Sequence, residues 1–431
     1  MKHMLTAFLL LLTGVLFCTP RSALAAPATT ATSEPLVQQS NLVYEGAFRL
    51  PEGSTNQTSF AYAGYGLTYD PSHNGLILTG HTWYQYTAEI SVPTPLIATS
   101  ISALPTATLI QPLTDALDGT LNDINPNSAT ANKIGGYLVY NGRLIISAYT
   151  FYDGNATQSA SHFVRSVDLA AGSVAGPYRV GAQYPGFVSG YMTLIPQEWQ
   201  SLLGGPALTG NCCLNIISAQ SSGPSVSVFD PSLLGTSNPT PATPLVGYPN
   251  GHALDNAWNV QSTAFNGTTK IKGVVFPDGT GSVLFFGRQG IGPFCYGFGV
   301  SNSALAGQPA SNGVNQCYDP ANSSKGTHAY PYVYEVWAYN ANDLLKVKQG
   351  LEPEYDVHPY AIWQLALPFE TPTANNFISG AAYDPITNQI FVTQDCAYTG
   401  CDPIIDVFKI SGIGTSTPAK TPSAPTNIQV N

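Results

Sequence analysis

Between residues 41 and 412 short apolar runs alternate with turn-forming clusters, and the runs recur in one pattern. Gly66-Leu-Thr-Tyr-Asp-Pro71 followed by Asn74-Gly-Leu-Ile-Leu-Thr79 matches Gly380-Ala-Ala-Tyr-Asp-Pro385 followed by Asn388-Gln-Ile-Phe-Val-Thr393. Weaker copies are Gly136 to Gly142 with Arg143 to Ala148, and Gly273 to Gly279 with Ser282 to Gly287. A fifth, Gly190 to Pro196 with Asn215 to Ala219, carries an insert containing two adjacent cysteines. Each copy is an apolar strand, a Gly, Asn or Pro turn and a second apolar strand, the pattern of a hairpin buried on both faces.

A third strand follows each hairpin: Tyr86 to Val92, Phe163 to Leu169, Val226 to Phe229, Tyr332 to Tyr339 and Ile404 to Ile410. Four units then offer a fourth strand, around Thr106 to Leu113, Pro177 to Val180, Pro244 to Gly247 and Pro359 to Leu367. The fifth unit lacks one, and an unused strand, Leu42 to Leu50, stands at the other end of the repeats. This arithmetic predicts an all-β fold, a β-propeller of five four-stranded blades closed by the N-terminal strand. Blades of about 74 residues exceed the 40–50 of compact propeller repeats, so six or seven blades stay open as alternatives. A β-sandwich also suits short, turn-punctuated strands but leaves the recurring hairpin without a reason. One helical window, Asn342 to Gln349, falls in a connection.

Outside the repeats the chain divides simply. Residues 1–25 read as a secretory signal, with Lys2, an apolar run from Leu5 to Phe17 and Ala23-Leu24-Ala25 before the cleavage point. Residues 26–40 read as a polar spacer, 41–412 as the propeller and 413–431 as a Thr, Ser and Pro tether. The apolar run is shorter than a bilayer span needs, so no membrane span is expected. A secreted chain, extracellular or periplasmic, favours disulfides for the six cysteines after the signal. Local pairing joins Cys396 to Cys401 and Cys295 to Cys317, leaving Cys212 and Cys213 as a vicinal pair or as thiols. No C-x-x-C spacing of a structural zinc site is present, and neither a metal nor a cofactor is expected.

Composition narrows the function. Charged residues make up 9% of 431, with 15 Lys plus Arg against 25 Asp plus Glu, so the basic surface that nucleic acid demands is missing. There is no G-x-S-x-G elbow, H-E-x-x-H helix or EF-hand loop, and the Gly-rich pieces open no helix that could cradle a phosphate.

In a propeller the loops between strands two and three share one face with the crossings between blades. That loop face collects His81, Tyr84, Tyr152, Asp153, Arg288 and Asp395, and the crossings add Asp123, Asp255 and Trp258. Tyr69-Asp70-Pro71 and Tyr383-Asp384-Pro385 fall on the opposite face, where turn formation alone accounts for them. Each rim residue also has a plain reading: His81 as a hydrogen-bonded loop histidine, Asp153 and Asp395 as loop-holding acids, Arg288 in a structural salt bridge, the aromatics in packing.

Ser282 to Gly297, with Gly326-Thr-His-Ala-Tyr-Pro-Tyr332 and Gly380 to Pro385, resembles a group of exported bacterial β-propeller-like proteins of unassigned activity, which brings no catalytic residues to carry over. Pro422 to Val430 resembles the opening strand of a fibronectin type III domain.

The first expectation is a secreted propeller that binds a carbohydrate, a cell-wall glycan or a small polar ligand, through Tyr84, Tyr152, Trp258 and Arg288. The alternative is a glycan-cleaving enzyme. A hydrolase would use two of Asp123, Asp153, Asp255 and Asp395; a lyase would use His81 or Tyr84 as base and Arg288 against a uronate carboxylate. A structural or adhesive module is the third. The sequence leaves the oligomeric state open.

Overall fold

The computed structural model describes residues 31–53, 55–212, 219–249, 252, 264–310, 313–369, 373, 376–398 and 400–413. The signal segment, the stretch 422–430 and the candidates Asp255 and Trp258 lie outside the described residues.

The chain opens with β1 (Leu42–Arg49), and the first blade follows as β2 (Leu67–Asp70), β3 (Gly75–Thr79), β4 (Thr87–Ser91) and β5 (Leu109–Thr114). The second is β6 (Asn132–Tyr140), β7 (Arg143–Thr150), β8 (His162–Ser166) and β9 (Ala175–Tyr178). The third is β10 (Met192–Leu194), β11 (Ala207–Thr209), β12 (Val226–Phe229) and β13 (Ala242–Val246). The fourth begins with β14 (Lys270–Val275) and β15 (Ser282–Gly290). It then inserts a small sheet of β16 (Cys295–Val300), β17 (Gln316–Tyr318) and β18 (Lys325–His328), and ends with β19 (Tyr332–Asn340) and β20 (Ala361–Gln364). The last is β21 (Ile378–Asp384), β22 (Gln389–Tyr398) and β23 (Asp402–Ile410), with β1 antiparallel to β23 from Leu42 opposite Ile410 to Arg49 opposite Ile404.

These are five separate four-stranded sheets among the described residues. Their first strands pack in ring order, β2 on β6, β6 on β10, β10 on β14, β14 on β21 and β21 back on β2. That is a propeller, not two sheets face to face, and the excess length of the fourth repeat is the three-stranded insert. Apolar side chains fill the wedges between blades: Phe285 of β15 packs on Tyr339 of its own blade at 5.2 Å and on Tyr191 of the third blade, next to β10, at 5.8 Å between ring centroids. The repeated glycine earns its place here. A side chain on Gly136 would strike the backbone at Gly190 of the next blade, and one on Gly273 would strike Ala381. Only a bare Cα permits that approach.

One expectation is corrected. The second strand of the third blade is Ala207–Thr209, not Asn215 to Ala219. A helix, α1 (Gln197–Leu203), occupies the turn between the strands, and its buried Trp199 donates to Glu34 Oε2 at 2.8 Å and to the Thr280 carbonyl at 3.1 Å. Ahead of β1, Ala31 and Val37 are buried while most of residues 31–40 stay exposed or half-buried. Val37 is fully buried; its N–H donates to Ser282 Oγ and its carbonyl accepts from Tyr360. The second helix, α2 (Ala341–Lys348), lies where expected.

Cys295 is bonded to Cys317 and Cys396 to Cys401, as local pairing predicts. The first bridge ties β16 to β17; the second closes the loop from β22 to β23. Cys212 is also disulfide-bonded, and Cys213 lies outside the described residues. No helix among the described residues is long and apolar enough to cross a membrane.

Candidate functional site

The residue before each repeated glycine stands at the loop-face end of an innermost strand: Tyr65, Gly135, Ser189, Lys272 and Ser379. In the second, fourth and fifth blades that residue is the extra one of a β-bulge, with register shifts at Ile134/Gly136, Ile271/Gly273 and Ile378/Gly380. Bulges re-aim side chains. Lys272 is carried in this way into a fully enclosed setting, with Nζ 3.4 Å from the centroid of Tyr65 and 3.1 Å from that of Phe377.

Asp395 is the acid of this centre. Its backbone N–H donates to the Phe377 carbonyl at 3.0 Å, and its carboxylate accepts from the backbone N–H groups of Ala63 and Cys396. One carboxylate oxygen, Oδ1, is buried without a hydrogen bond. Burial pushes the acid up to about 7, against the pull of Lys272. Burial also drives the Lys272 ammonium well below its ordinary range, opposed by Asp395 and reinforced by Lys270 and Arg288. Lys270, two residues earlier on β14, is lowered to about 7, mainly by burial. Tyr65 stacks on Tyr149 at 6.2 Å between centroids, and the Tyr149 hydroxyl is buried without a partner. Asp395 Oδ1 and the Tyr149 hydroxyl, both buried without a hydrogen bond, and two lysines lowered by burial gather at one end of the axis, an arrangement that can move a proton or grip a polar substituent.

Arg288 borders this centre but is already committed. It is buried, donates to the carbonyls of Thr373 and Thr268 at 2.6 Å each, and lies 4.5 Å over the Tyr332 ring. No carboxylate pairs with it among the described residues. The guanidinium therefore ties the loops that lead into the fourth and fifth blades.

His81 is buried beside the centre, bridged through its backbone to Ala63. Its Nδ1 accepts from the Trp83 N–H at 3.2 Å, and burial, with Lys133 nearby, lowers its pKa. A neutral imidazole accepting at Nδ1 carries its proton on Nε2, so its basic lone pair is engaged by the Trp83 N–H and Nε2 is left to donate. Around it lies a shelf of exposed rings. Tyr62 and Tyr84 flank the imidazole at 5.7 and 5.4 Å, and Trp83 is 82% exposed. Tyr152, 59% exposed, presents a further ring on the second blade.

Asp153 holds its own loop. Oδ1 accepts from the Thr157 N–H and hydroxyl at 2.6 and 2.7 Å, and Oδ2 from the Gln158 N–H at 2.9 Å. Asp123 lies in a shallow pocket with Arg179 and Asn238, at the outer margin of the second and third blades. The structure thus brings Asp395 and Arg288 together and sets Asp123 apart. Lys272 and Lys270 escape a reading that looks only at loops. Their signal is a pair of lysines spaced by two, directly ahead of the repeated glycine, in a strand otherwise apolar.

The other end of the axis is different in kind. A cavity of about 500 Å³ opens among all five innermost strands, with Tyr69, Tyr140, Phe276 and Tyr383 in its wall and Asp278 at its edge. Tyr69 and Tyr383, expected only to form turns, therefore also line a cavity.

No family model and no curated protein matches the chain. Among solved structures it is similar to the arabinanase of Bacillus subtilis, at 11% identity over 84% of this chain and 96% of that one, with a TM-score of 0.40. It is similar to a glycoside hydrolase, from a family of mannoside phosphorylases, that targets β-1,2 mannosidic linkages in Candida mannan: 9% identity, 89% and 99% covered, TM-score 0.41. A third is the endo-arabinanase of Bacillus licheniformis, 11% identical over 83% and 96%, with a TM-score of 0.38. The propeller described above rests on its strand pairing.

Proposed function

We propose that the protein binds a carbohydrate across its loop face, with sugar rings on Trp83, Tyr84 and Tyr62 and a polar substituent reaching towards Lys272. The observation that carries this reading is an exposed aromatic shelf joined directly to a buried polar centre: His81 bridges to Ala63, and Ala63 donates to Asp395. Exposed aromatic faces bury sugar C–H groups at little entropic cost, and a few convergent polar groups then fix orientation. Tyr152, 59% exposed on the second blade, extends the shelf. Arg288 supports the site by holding its loops, and His81 offers Nε2–H as a donor.

A second reading has its own observation, the opposed acid and amine at the centre. Burial raises Asp395 to about 7 and drives Lys272 well below its ordinary range, so the acid leans towards its protonated form and the amine towards its neutral one, the pairing that general acid–base chemistry uses. In a uronate lyase the neutral Lys272 amine would take the proton beside the carboxylate while protonated Asp395 gives one to the leaving glycosidic oxygen. The bond between that oxygen and the sugar breaks as a carbon–carbon double bond forms.

A screen of neutral and uronate-containing polysaccharides, read for both binding and products, tests the proposal. Binding that Trp83→Ala weakens at least tenfold supports it; unsaturated sugar products that vanish in Lys272→Met select the second reading. Silence in both assays overturns both and leaves a structural or adhesive module.

A further inference from the structure

The first and last blades share the turn Tyr-Asp-Pro-x-x-Asn, and the last shows what that turn needs. There Asp384 Oδ1 accepts from the Ile386 N–H at 2.8 Å and Oδ2 from the Thr387 hydroxyl at 2.6 Å, so both oxygens are satisfied within the turn. In the first blade Asp70 Oδ1 accepts from the Ser72 N–H and hydroxyl at 2.9 and 2.7 Å. Oδ2 accepts no hydrogen bond, although Asp70 is 1% exposed.

Among the residues that differ between the two blades, three together build something around that oxygen. His73 stands where the last blade has Thr387. Glu89 stands on β4 opposite Ile77, the place of Val407 opposite Phe391. Gly75 replaces Gln389, and any side chain there would collide with Glu89 Oε1. The glycine thus opens the path by which the fully buried Glu89 carboxylate reaches the turn. His73 Nδ1 lies 3.2 Å from Asp70 Oδ2 and 3.0 and 3.1 Å from the two Glu89 oxygens. Gln111 Nε2 holds Glu89 from behind at 2.6 Å.

One imidazole nitrogen carries at most one proton, and three buried carboxylate oxygens face it. Two buried carboxylates against a single half-exposed imidazole leave negative charge that the described residues do not offset. We infer that Asp70, His73 and Glu89 form a site for one divalent transition-metal ion of the zinc class, seated where the three side chains converge. The donor separations approach the edge of a tetrahedron, roughly 3.3 Å for ligand bonds of ~2.0 Å. An imidazole nitrogen with two carboxylates suits zinc better than calcium or magnesium, which take oxygen alone. The exposed edge of His73 gives the ion a way in, and water completes its coordination. Gln111 also donates to the Val167 carbonyl and accepts from the Leu169 N–H, so a bound ion would brace the first blade against the second.

The test uses the untagged chain, stripped with chelator and dialysed against Zn²⁺ with excess Ca²⁺ present. One equivalent of zinc per chain is expected, with affinity falling at least about 100-fold in His73→Ala and in Asp70→Asn and unchanged in Thr387→Ala. His73→Ala takes the only imidazole away from two buried carboxylates and should lower the unliganded melting temperature; zinc affinity measured on the folded variant, well below its melt, decides the matter even if Asp70→Asn does not fold. Substoichiometric zinc in the parent chain, or equal affinity in His73→Ala, overturns the site.

Discussion

Lys272 Nζ lies 3.4 Å from the centroid of the Tyr65 ring, although the two residues belong to the fourth and first blades and the fifth stands between them in the ring. The side chain therefore reaches over the axis, and its charge is felt by Asp395 of the last blade. Removing one member of this pair leaves the other buried without its partner. Lys272→Met and Asp395→Asn should each destabilise the protein, and the double variant should lose about 1–3 kcal/mol less than their sum. Denaturant melts of the four proteins measure the coupling; additive losses would show the two charges to be independent.

Arg288→Ala removes both guanidinium hydrogen bonds from buried carbonyls and the stack on Tyr332. A loss of about 2–4 kcal/mol is expected, with Arg288→Lys recovering less than half because one ammonium cannot reproduce the fork. Thermal unfolding checks this, and an unchanged melting temperature would contradict the role assigned to it.

Asp406 gives a pH dependence of definite sign. It is fully buried on β23, accepts from the Tyr44 hydroxyl at 3.0 Å, and burial raises it to about 7. The native state then holds a proton that the unfolded chain gives up above about 4. This contribution is complete at low pH and fades as pH rises through 7, by at most about 4 kcal/mol. Asp406→Asn should flatten the stability profile between pH 5 and 8, and an identical slope in both proteins would refute the assignment.

Deleting residues 41–50 removes β1 and bares the edge of β23. Such an edge pairs with other chains, so the truncated protein should self-associate and melt lower. Gel filtration and calorimetry decide between that and a ring indifferent to its closing strand.

The blade pattern was legible because close packing at the axis imposes a glycine on every innermost strand, and because one missing outer strand was matched by one spare. The third blade was misread at its second strand. Ala207–Thr209 is only three residues long, and α1 stands in the turn where a tight hairpin was expected. Asp395 could be placed from sequence, since it stands towards the loop-face end of the second strand of its blade. Lys272 could not: a lysine in strand register reads as pointing to solvent, and only the bulge turns it inward. The Asp70 turn looked self-sufficient because Glu89, nineteen positions on, joins it only through strand pairing.

The seam between β1 and β23 also sets an order of events. A ribosome makes Leu42 long before its partner Ile410, and joining ends so far apart costs roughly 5 kcal/mol of chain entropy beyond a fixed term. Non-local pairing of that kind is late in folding. Until the last blade emerges, the first-made strand has no partner, and its inward residues Ala47 and Phe48, fully buried in the finished ring, face water. The ring is thus most vulnerable to wrong partners during the interval between its two ends, and a binding protein that shields one apolar strand would protect the whole fold.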